Sequence, residues 1–510
     1  MPSLCYGVFT PFLWPGALLL MPCFRLRLLI AAALSLVAAL PVHAQGDYHA
    51  LARDIFKQLV EINTTDSVGS VTAAAEAMRQ RLSDAGYPES DLQLLGPNDR
   101  KKNLVARLHG AGTAAGGMTR EPILFIGHLD VVEARRDDWT TDPFQFVEKD
   151  GYYYGRGTQD MKEGDAILVT TFIRLRKEGY KPDRDLILAL TADEEGGKSN
   201  GVDWLLKNHR DLIDAQFVLN SDGGGINLEH GKAVVFEVNA TEKLYADFQL
   251  TATNPGGHSS LPVPDNAIYH IADALDRLQH STFPFELNAI TRAYLAKMSE
   301  EEPGQTGTDI KAVLATPPDR AAMERLAARP LYNATMRTTC VATMLAGGHA
   351  PNALPQQASA NVNCRILPGH SREEVRQELI KVFDDPSVVV KYMADNGDIS
   401  DQAPSAKALP PVEINPQVLS AATRLAEEMW PGAPVLPIMD IGASDGIYTN
   451  AAGLPTYTIT GIAMEEDDHR EHGKDERLAV ASFYRGEDFY YRFVKSITGG
   501  SPAPRAKPPR

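Results

Sequence analysis

Three short hydrophobic runs that each end in imidazole or carboxylate side chains constrain this chain more than any other feature. Ile123–Ile126 leads into Gly127, His128, Leu129 and Asp130; Leu186–Leu190 leads into Asp193, Glu194 and Glu195; Phe217–Leu219 leads into Asp222 and three glycines. Short apolar runs bounded by turn residues read as buried strands. In open α/β sheets, ligands gather beyond the carboxyl ends of the strands. Carboxylates and a histidine presented together at such ends point to a metal site, and the loop Gly155–Asp160 supplies one further acid.

The surrounding pattern predicts the layers that would carry these strands. Helical periodicity runs over 48–61, 70–85, 161–178 and 202–208, with strands 103–108, 123–126, 186–190 and 217–219 between them and a hairpin turning at Asp150 and Gly151. Strands alternating with helices imply an α/β fold: a mixed, largely parallel sheet flanked by helices. From about residue 243 the style changes. Tyr245–Ala252 alternates as a strand and 265–279 is helical. A charged helix is expected over Asp309–Ala328, and paired strands over 335–344 and 358–366. A capping box at Ser371 and Glu374 opens a helix through Phe383, and a last strand covers 387–393. The helix 416–429 and strand 435–439 resume the first style. The expected organisation is therefore an N-terminal extension and signal peptide over 1–44, a catalytic domain over 45–242 and 395–498, an inserted α+β lid or dimerisation domain over 243–394, and a disordered tail over 499–510.

Arg25 and Arg27, the apolar stretch Leu28–Leu40 and the small residue Ala44 match the basic, apolar and cleavage regions of a signal peptide. Cleavage after Ala44 leaves Gln45 as the first residue, with residues 1–20 read as an upstream extension. The apolar stretch is short for a membrane span, so an exported protein, periplasmic or secreted, is expected, with no stable span after cleavage. Removal of 1–44 takes two arginines and no acid, so the formal net charge of −16 becomes −18. That balance argues against a nucleic-acid partner. Of four cysteines, Cys5 and Cys23 lie in the removed segment. Cys340 and Cys364 could form a disulfide in an oxidising compartment or remain buried thiols, and neither has zinc-pair spacing.

Taken in order, Gly127–Val132, Gly155–Lys162, Asp193–Gly196, Asn220–Asp222, Gly256–Ser260, Gly347–Pro355 with Arg365, and His472–Glu476 resemble the successive motifs of a metallopeptidase family. That family contains carboxypeptidase G, carboxypeptidase S, aminoacylase and succinyl-diaminopimelate desuccinylase, which are dizinc amide hydrolases. The resemblance implies two zinc ions per chain about 3.5–4 Å apart, with cobalt or manganese as possible substitutes. It makes Asp160 the shared ligand, His128 and Asp222 the further ligands of one ion, and Glu195 and His472 those of the other. Asp130 would hydrogen-bond the second ring nitrogen of His128, and Glu194 would act as general base. His469, three residues before His472, is a competitor for its place.

From the inserted domain, His258 would stabilise the oxyanion, often from a partner subunit. Asn352 and Arg365 would contact substrate, Arg365 as a carboxylate clamp. The implied activity is exopeptidase cleavage of the amide next to a free-carboxylate amino acid in short peptides, closest to the carboxypeptidase S-like branch. The alternative is aminoacylase action on N-acyl amino acids. Dimerisation through the inserted domain is common in the family. A rival signature exists in Gly442–Gly446, which fits a serine-hydrolase elbow at Ser444. In the metal family the same loop lines the substrate pocket.

Overall fold

The computed structural model describes residues 48–111, 120–394, 396–407 and 414–499. The signal-like segment with Cys5 and Cys23, and the tail from residue 500, lie outside the described residues. Among the described residues, no helix is long and apolar enough to cross a membrane.

Ten strands form the main sheet, which is mixed. Its middle is parallel: Ile123–His128 lies between Leu186–Thr191 and Phe217–Asn220, and Thr456–Thr458 continues parallel beside the last. The strands Ile123–His128 and Leu186–Thr191 are buried at every position, which explains why they read as unbroken apolar runs rather than alternating ones. Their residues nevertheless divide by parity. Ile123, Phe125, Leu186, Leu188 and Leu190 pack into the core shared with the helices Val71–Asp84, Lys162–Lys177 and Val480–Thr498. Leu124, Ile126, Ile187 and Ala189 pack on the opposite face, against Leu205 and Ile213 of the helices Gly201–Asn208 and Arg210–Ile213. Helices thus cover both faces, each buried Leu, Ile or Phe contributing about 1.5–3 kcal/mol.

Register sets the site. His128 pairs with Thr191, and Ile126 with Asn220, so the three parallel strands end side by side. The side chains that follow each end necessarily converge.

A second sheet of five antiparallel strands has the order Thr339–Gly347, Gln357–Ile366, Leu244–Thr253, Val389–Met393, Ile399–Ser400. Its central strands alternate buried and half-buried positions. The helices Ala267–His280 and Arg372–Phe383 cover one face. Ser371 and Glu374 form the expected capping box. The edge strand Ile399–Ser400 carries this sheet past residue 394, the expected end of the inserted domain. Cys340 and Cys364 are register partners on adjacent strands and form a disulfide.

Two expectations for this region need correction. The helix expected over Asp309–Ala328 is two helices, Gly304–Leu314 and Arg320–Ala327, interrupted at Pro317 and Pro318. A proline lacks the N–H and clashes with the preceding turn. The strand expected from Thr335 begins at Thr339, because Pro330–Met336 is a helix. With Ala289–Glu301 these helices enclose a small core of Leu295, Ile310, Val313, Leu326, Tyr332 and Met336.

Candidate metal centre and its cleft

Beyond the ends of the three parallel strands, six ionisable side chains meet. His128 stands at the end of its strand, 2% exposed. Its Nδ1 lies 3.1 Å from the backbone carbonyl of Asp130. A carbonyl only accepts, so Nδ1 carries the proton and Nε2 presents a lone pair to the cleft. Nε2 lies 3.1 Å from Asp160 Oδ1, 3.9 Å from Asp222 Oδ2 and 4.0 Å from Glu194 Oε2. Both Nε2 of His128 and Oδ1 of Asp160 are buried without a hydrogen-bond partner. Two buried acceptors facing each other at that distance are costly unless a cation stands between them. This donor set of imidazole and carboxylate oxygens fits zinc and neighbouring divalent ions.

On the far side of Asp160, His472 Nε2 lies 3.0 Å from Asp160 Oδ2 and 2.9 Å from Glu195 Oε2. His128, Asp160 and Glu195 each place one ligand atom within 4.8 Å of the others, and so do His128, Glu194 and Asp222. His469 does not join them; its Nδ1 pairs with Glu471 at 3.0 Å. His472 holds a left-handed backbone, φ 61°, a strained conformation for a non-glycine residue of the kind found at ligand sites. The turn after Asp222 runs through Gly223, Gly224 and Gly225, all at positive φ, so only glycines complete it without penalty.

The electrostatics follow from this crowding. Burial opposes ionisation of Asp160, but without a cation between them protonated His128 and His472 take the cation's place beside it and hold its carboxyl well below the usual range. The carboxylates of Asp160 and Glu195 push His472 up to about 10. Burial, with Asp160 and Glu195 nearby, pushes Asp222 up to about 8. Burial likewise raises Glu194 well above the carboxylate range, with Asp222 adding to the effect and His128 opposing it.

One expected contact is replaced. Asp130 does not hydrogen-bond the His128 ring through its carboxylate, whose Oδ1 is 3.8 Å from Nδ1. The carboxylate instead accepts the backbone N–H groups of Glu194 at 3.2 Å and Glu195 at 3.0 Å. The main chain of Asp130 fixes the histidine, and its side chain fixes the two glutamates. Asp193 turns away and pairs with the buried Lys101.

Several positioning groups have no prominent sequence signal. Glu476, fully buried and paired with Arg156, accepts the N–H of Gln159 at 2.7 Å and of Asp160 at 3.3 Å. Asp445 accepts from Asn200 at 2.6 Å and from Thr191 at 3.1 Å. Glu476 belongs to the closing motif His472–Glu476, which is the one cue that could have singled it out.

Ser444 donates its hydroxyl to Glu242 at 2.9 Å and accepts from Gly446 and Asn220, both at 3.1 Å. None of these partners is a histidine, so the serine-hydrolase reading lacks its general base. Ser444 lines a cleft of about 1140 Å³ that reaches from Asp160 and Asp222 along Ile226, Tyr294 and Met298 to Leu331.

The candidates from residues 243–394 are not brought into the metal cluster. His258 is exposed, with Nδ1 2.8 Å from Ser260 Oγ. It pairs with Ala353 in a two-strand ladder, and the exposed Asn352 accepts the neighbouring Ser259 N–H at 3.1 Å. Arg365 is half-buried over the Tyr245 ring at 4.8 Å. Its charge reaches Asp440 of the cleft wall, where it opposes the raising effect of burial on that carboxyl.

The family model described as peptidase family M20/M25/M40 matches residues 124–496. A relative named probable carboxypeptidase S-like 2, from Dictyostelium discoideum, is 28% identical over 398 residues, covering 74% of this chain and 72% of its own. The N-fatty-acyl-amino acid synthase/hydrolase PM20D1 of Xenopus tropicalis is 26% identical over 396 residues, covering 75% of this chain and 74% of its own. An M20 family metallo-carboxypeptidase from Sulfolobus solfataricus has the same fold, with a TM-score of 0.65 at 17% identity over 88% of this chain and 99% of that one. A dinuclear metal binding peptidase of the M20 family from Bacillus subtilis gives a TM-score of 0.53 at 12% identity, over 89% and 98%. Strand ends that gather a histidine and four carboxylates, on this fold and within a matched span of most of its length, show that the chain belongs to peptidase family M20/M25/M40 and is a metallohydrolase of the exopeptidase type.

Proposed function

We propose that the protein is an exported dizinc hydrolase that cleaves the amide bond next to a free-carboxylate amino acid in short peptides. The observation that carries the metal assignment is the facing pair of unpartnered buried acceptors, His128 Nε2 and Asp160 Oδ1. In this reading Asp160 is the shared ligand, with His128 and Asp222 on one side and Glu195 and His472 on the other. Two such ions would supply Lewis acidity toward the scissile carbonyl and the attacking water.

The chain's own residues do the rest. Glu194, its backbone tied to Asp130, takes the proton from water and returns it to the leaving amine. Asp130 keeps Glu194 and Glu195 on their respective tasks through adjacent N–H groups. Arg365, whose charge reaches the cleft wall at Asp440, is suited to the substrate carboxylate. His258 and Asn352 share one exposed ladder, which suits an oxyanion and substrate role taken up when that ladder closes over a cleft, its own or a partner subunit's.

A second reading, hydrolysis of N-acyl amino acids, draws on the cleft. Its walls at Ile226, Leu228, Met298, Leu331, Ile438 and Ile462 offer apolar surface to an acyl chain. The relative named N-fatty-acyl-amino acid synthase/hydrolase supports it. Export rests on the basic, apolar and small-residue order of residues 21–44, and N-terminal sequencing of the released protein should begin at Gln45.

The deciding experiment assays dipeptides and N-acyl amino acids with zinc-loaded, chelated and reloaded protein. Hydrolysis should vanish with the metal, return with zinc and ignore a serine-reactive phosphonate. Turnover that survives metal removal would falsify the dizinc reading, and the preferred panel member decides between peptidase and acylase.

A further inference from the structure

Away from the metal cleft, a second cavity of about 780 Å³ lies between the five-stranded sheet and the helical cluster. Arg337, which with Thr338 joins the helix Pro330–Met336 to the strand Thr339–Gly347, lines it. Four arginines are buried among the described residues: Arg156, Arg184, Arg337 and Arg376. Three of them face a carboxylate, respectively Glu476, Asp183 and Glu373. Arg337 has no such partner. It is 9% exposed, its Nη1 reaches the Phe283 carbonyl at a long 3.4 Å, and its Nε is buried with no hydrogen-bond partner. Burial pushes its guanidinium pKa down with no nearby acid to offset it.

An isolated buried guanidinium is unfavourable unless something anionic completes it. The backbone of Arg337 is meanwhile held in place, because the buried Lys243 Nζ donates to its carbonyl at 2.7 Å. One side of the cavity is apolar, formed by Leu278, Phe283, Pro284, Phe285, Met323 and Ala327, while the rest of its lining is mostly polar, Glu324 and Asn333 included. The other arginine lining it, Arg320, is already engaged by Glu324 at 3.0 Å. One unengaged positive charge beside an apolar side wall matches a monoanion with a hydrocarbon body better than a phosphate. Its volume is in the range of small-molecule sites.

We propose that this cavity is a binding site for a small organic carboxylate, with Arg337 pairing with the carboxylate and the Phe283–Phe285 and Met323 wall taking the hydrocarbon. None of its lining residues belongs to the metal cleft.

The test is calorimetric titration of the zinc-loaded protein with octanoate, octanamide and inorganic phosphate, on wild type, Arg337→Met and Ala327→Phe. Octanoate should bind saturably, and octanamide and phosphate roughly tenfold or more weaker. Loss of a charged hydrogen-bonded pair predicts weakening of octanoate by roughly 10- to 100-fold in Arg337→Met. Ala327→Phe, which fills the cavity while leaving the arginine, should lose binding as well, and both variants should keep the basal hydrolysis rate. Absent octanoate binding, equal binding of octanamide, preferred binding of phosphate, or unchanged affinity in either folded variant overturns the proposal. Should Arg337→Met fail to fold, Ala327→Phe decides alone.

Discussion

At the scale of single residues, the adjacent glutamates show how backbone contacts divide labour. Glu194 and Glu195 follow each other in sequence, yet Glu195 meets His472 while Glu194 leans toward His128 and Asp222. Their N–H groups are held by the two oxygens of one carboxylate, that of Asp130. If Glu194 is the proton carrier, Glu194→Gln keeps the shape and removes the base. Its kcat should fall roughly 10²- to 10⁴-fold, with metal content by elemental analysis and the circular dichroism spectrum unchanged. An active Gln variant would move the base elsewhere.

Glu237 offers a separate test on the cleft wall. Burial pushes its carboxyl up to about 7, with Asp440 adding to this while Asn227 and His469 oppose it. A carboxyl with a raised folded pKa favours the folded state when protonated. Its contribution is therefore complete below about 4.5, the unfolded value, and is lost as pH rises through about 7. Glu237→Gln should leave stability unchanged at pH 4 and raise it by roughly 3 kcal/mol at pH 8. Urea unfolding at the two pH values reads the difference, and a pH-independent effect would mean the carboxylate is already compensated.

At the scale of elements, the second sheet is held by a cross-strand link at the half-buried start of its outer strand, whose remaining positions are exposed. Cys340 and Cys364 are separated by 24 residues, a loop whose closure contributes about 3 kcal/mol in the chain-entropy model. The double variant Cys340→Ser with Cys364→Ser should lower unfolding free energy by about 2–4 kcal/mol, measured by denaturant titration. Hydrolysis should persist, because neither cysteine lines the metal cleft.

Element reading from sequence was uneven for physical reasons. The parallel strands were legible because burial on both faces demands unbroken apolar runs. The capping box at Ser371 was legible because its two hydrogen bonds are local. The hairpin Gly225–Glu229 with Lys232–Glu242 was missed. Its turn at His230 and Gly231, both at positive φ, was the available signal. The helices Ala289–Glu301 and Pro330–Met336 were missed as well; the first packs mainly on Gly304–Leu314 and the strand Val435–Asp440, the second on Arg320–Ala327, partners that no local pattern announces. The prolines at 317 and 318 did announce the break between their neighbours.

At the scale of the whole molecule, the metal cleft concentrates negative charge in a chain that is already acidic. Asp160, Glu194, Glu195 and Asp222 converge on two imidazoles, and such an arrangement is poorly balanced without cations. A ligand that binds only the folded state stabilises it by about 2.7 kcal/mol at a hundredfold excess over its Kd. Chelation should therefore lower the melting temperature as well as activity, and zinc should restore both. A melting curve indifferent to chelator would show that the folded state does not depend on metal for its balance.

Residue types and their order along the chain determined a great deal unaided: the parallel α/β layers, the strand ends that carry chemistry, and the acids and histidines from which a metal site could be built. Those features depend on local periodicity and on what each side chain can bind. The tertiary structure alone decided which acceptor each donor found. It gave His128 the carbonyl of Asp130 and gave the Asp130 carboxylate to the Glu194 and Glu195 backbone. It chose His472 over His469 and left Arg337 buried without a counter-charge. Hydrogen bonds extend about 3 Å and are directional, so pairing depends on positions set by strand register and packing between segments hundreds of residues apart.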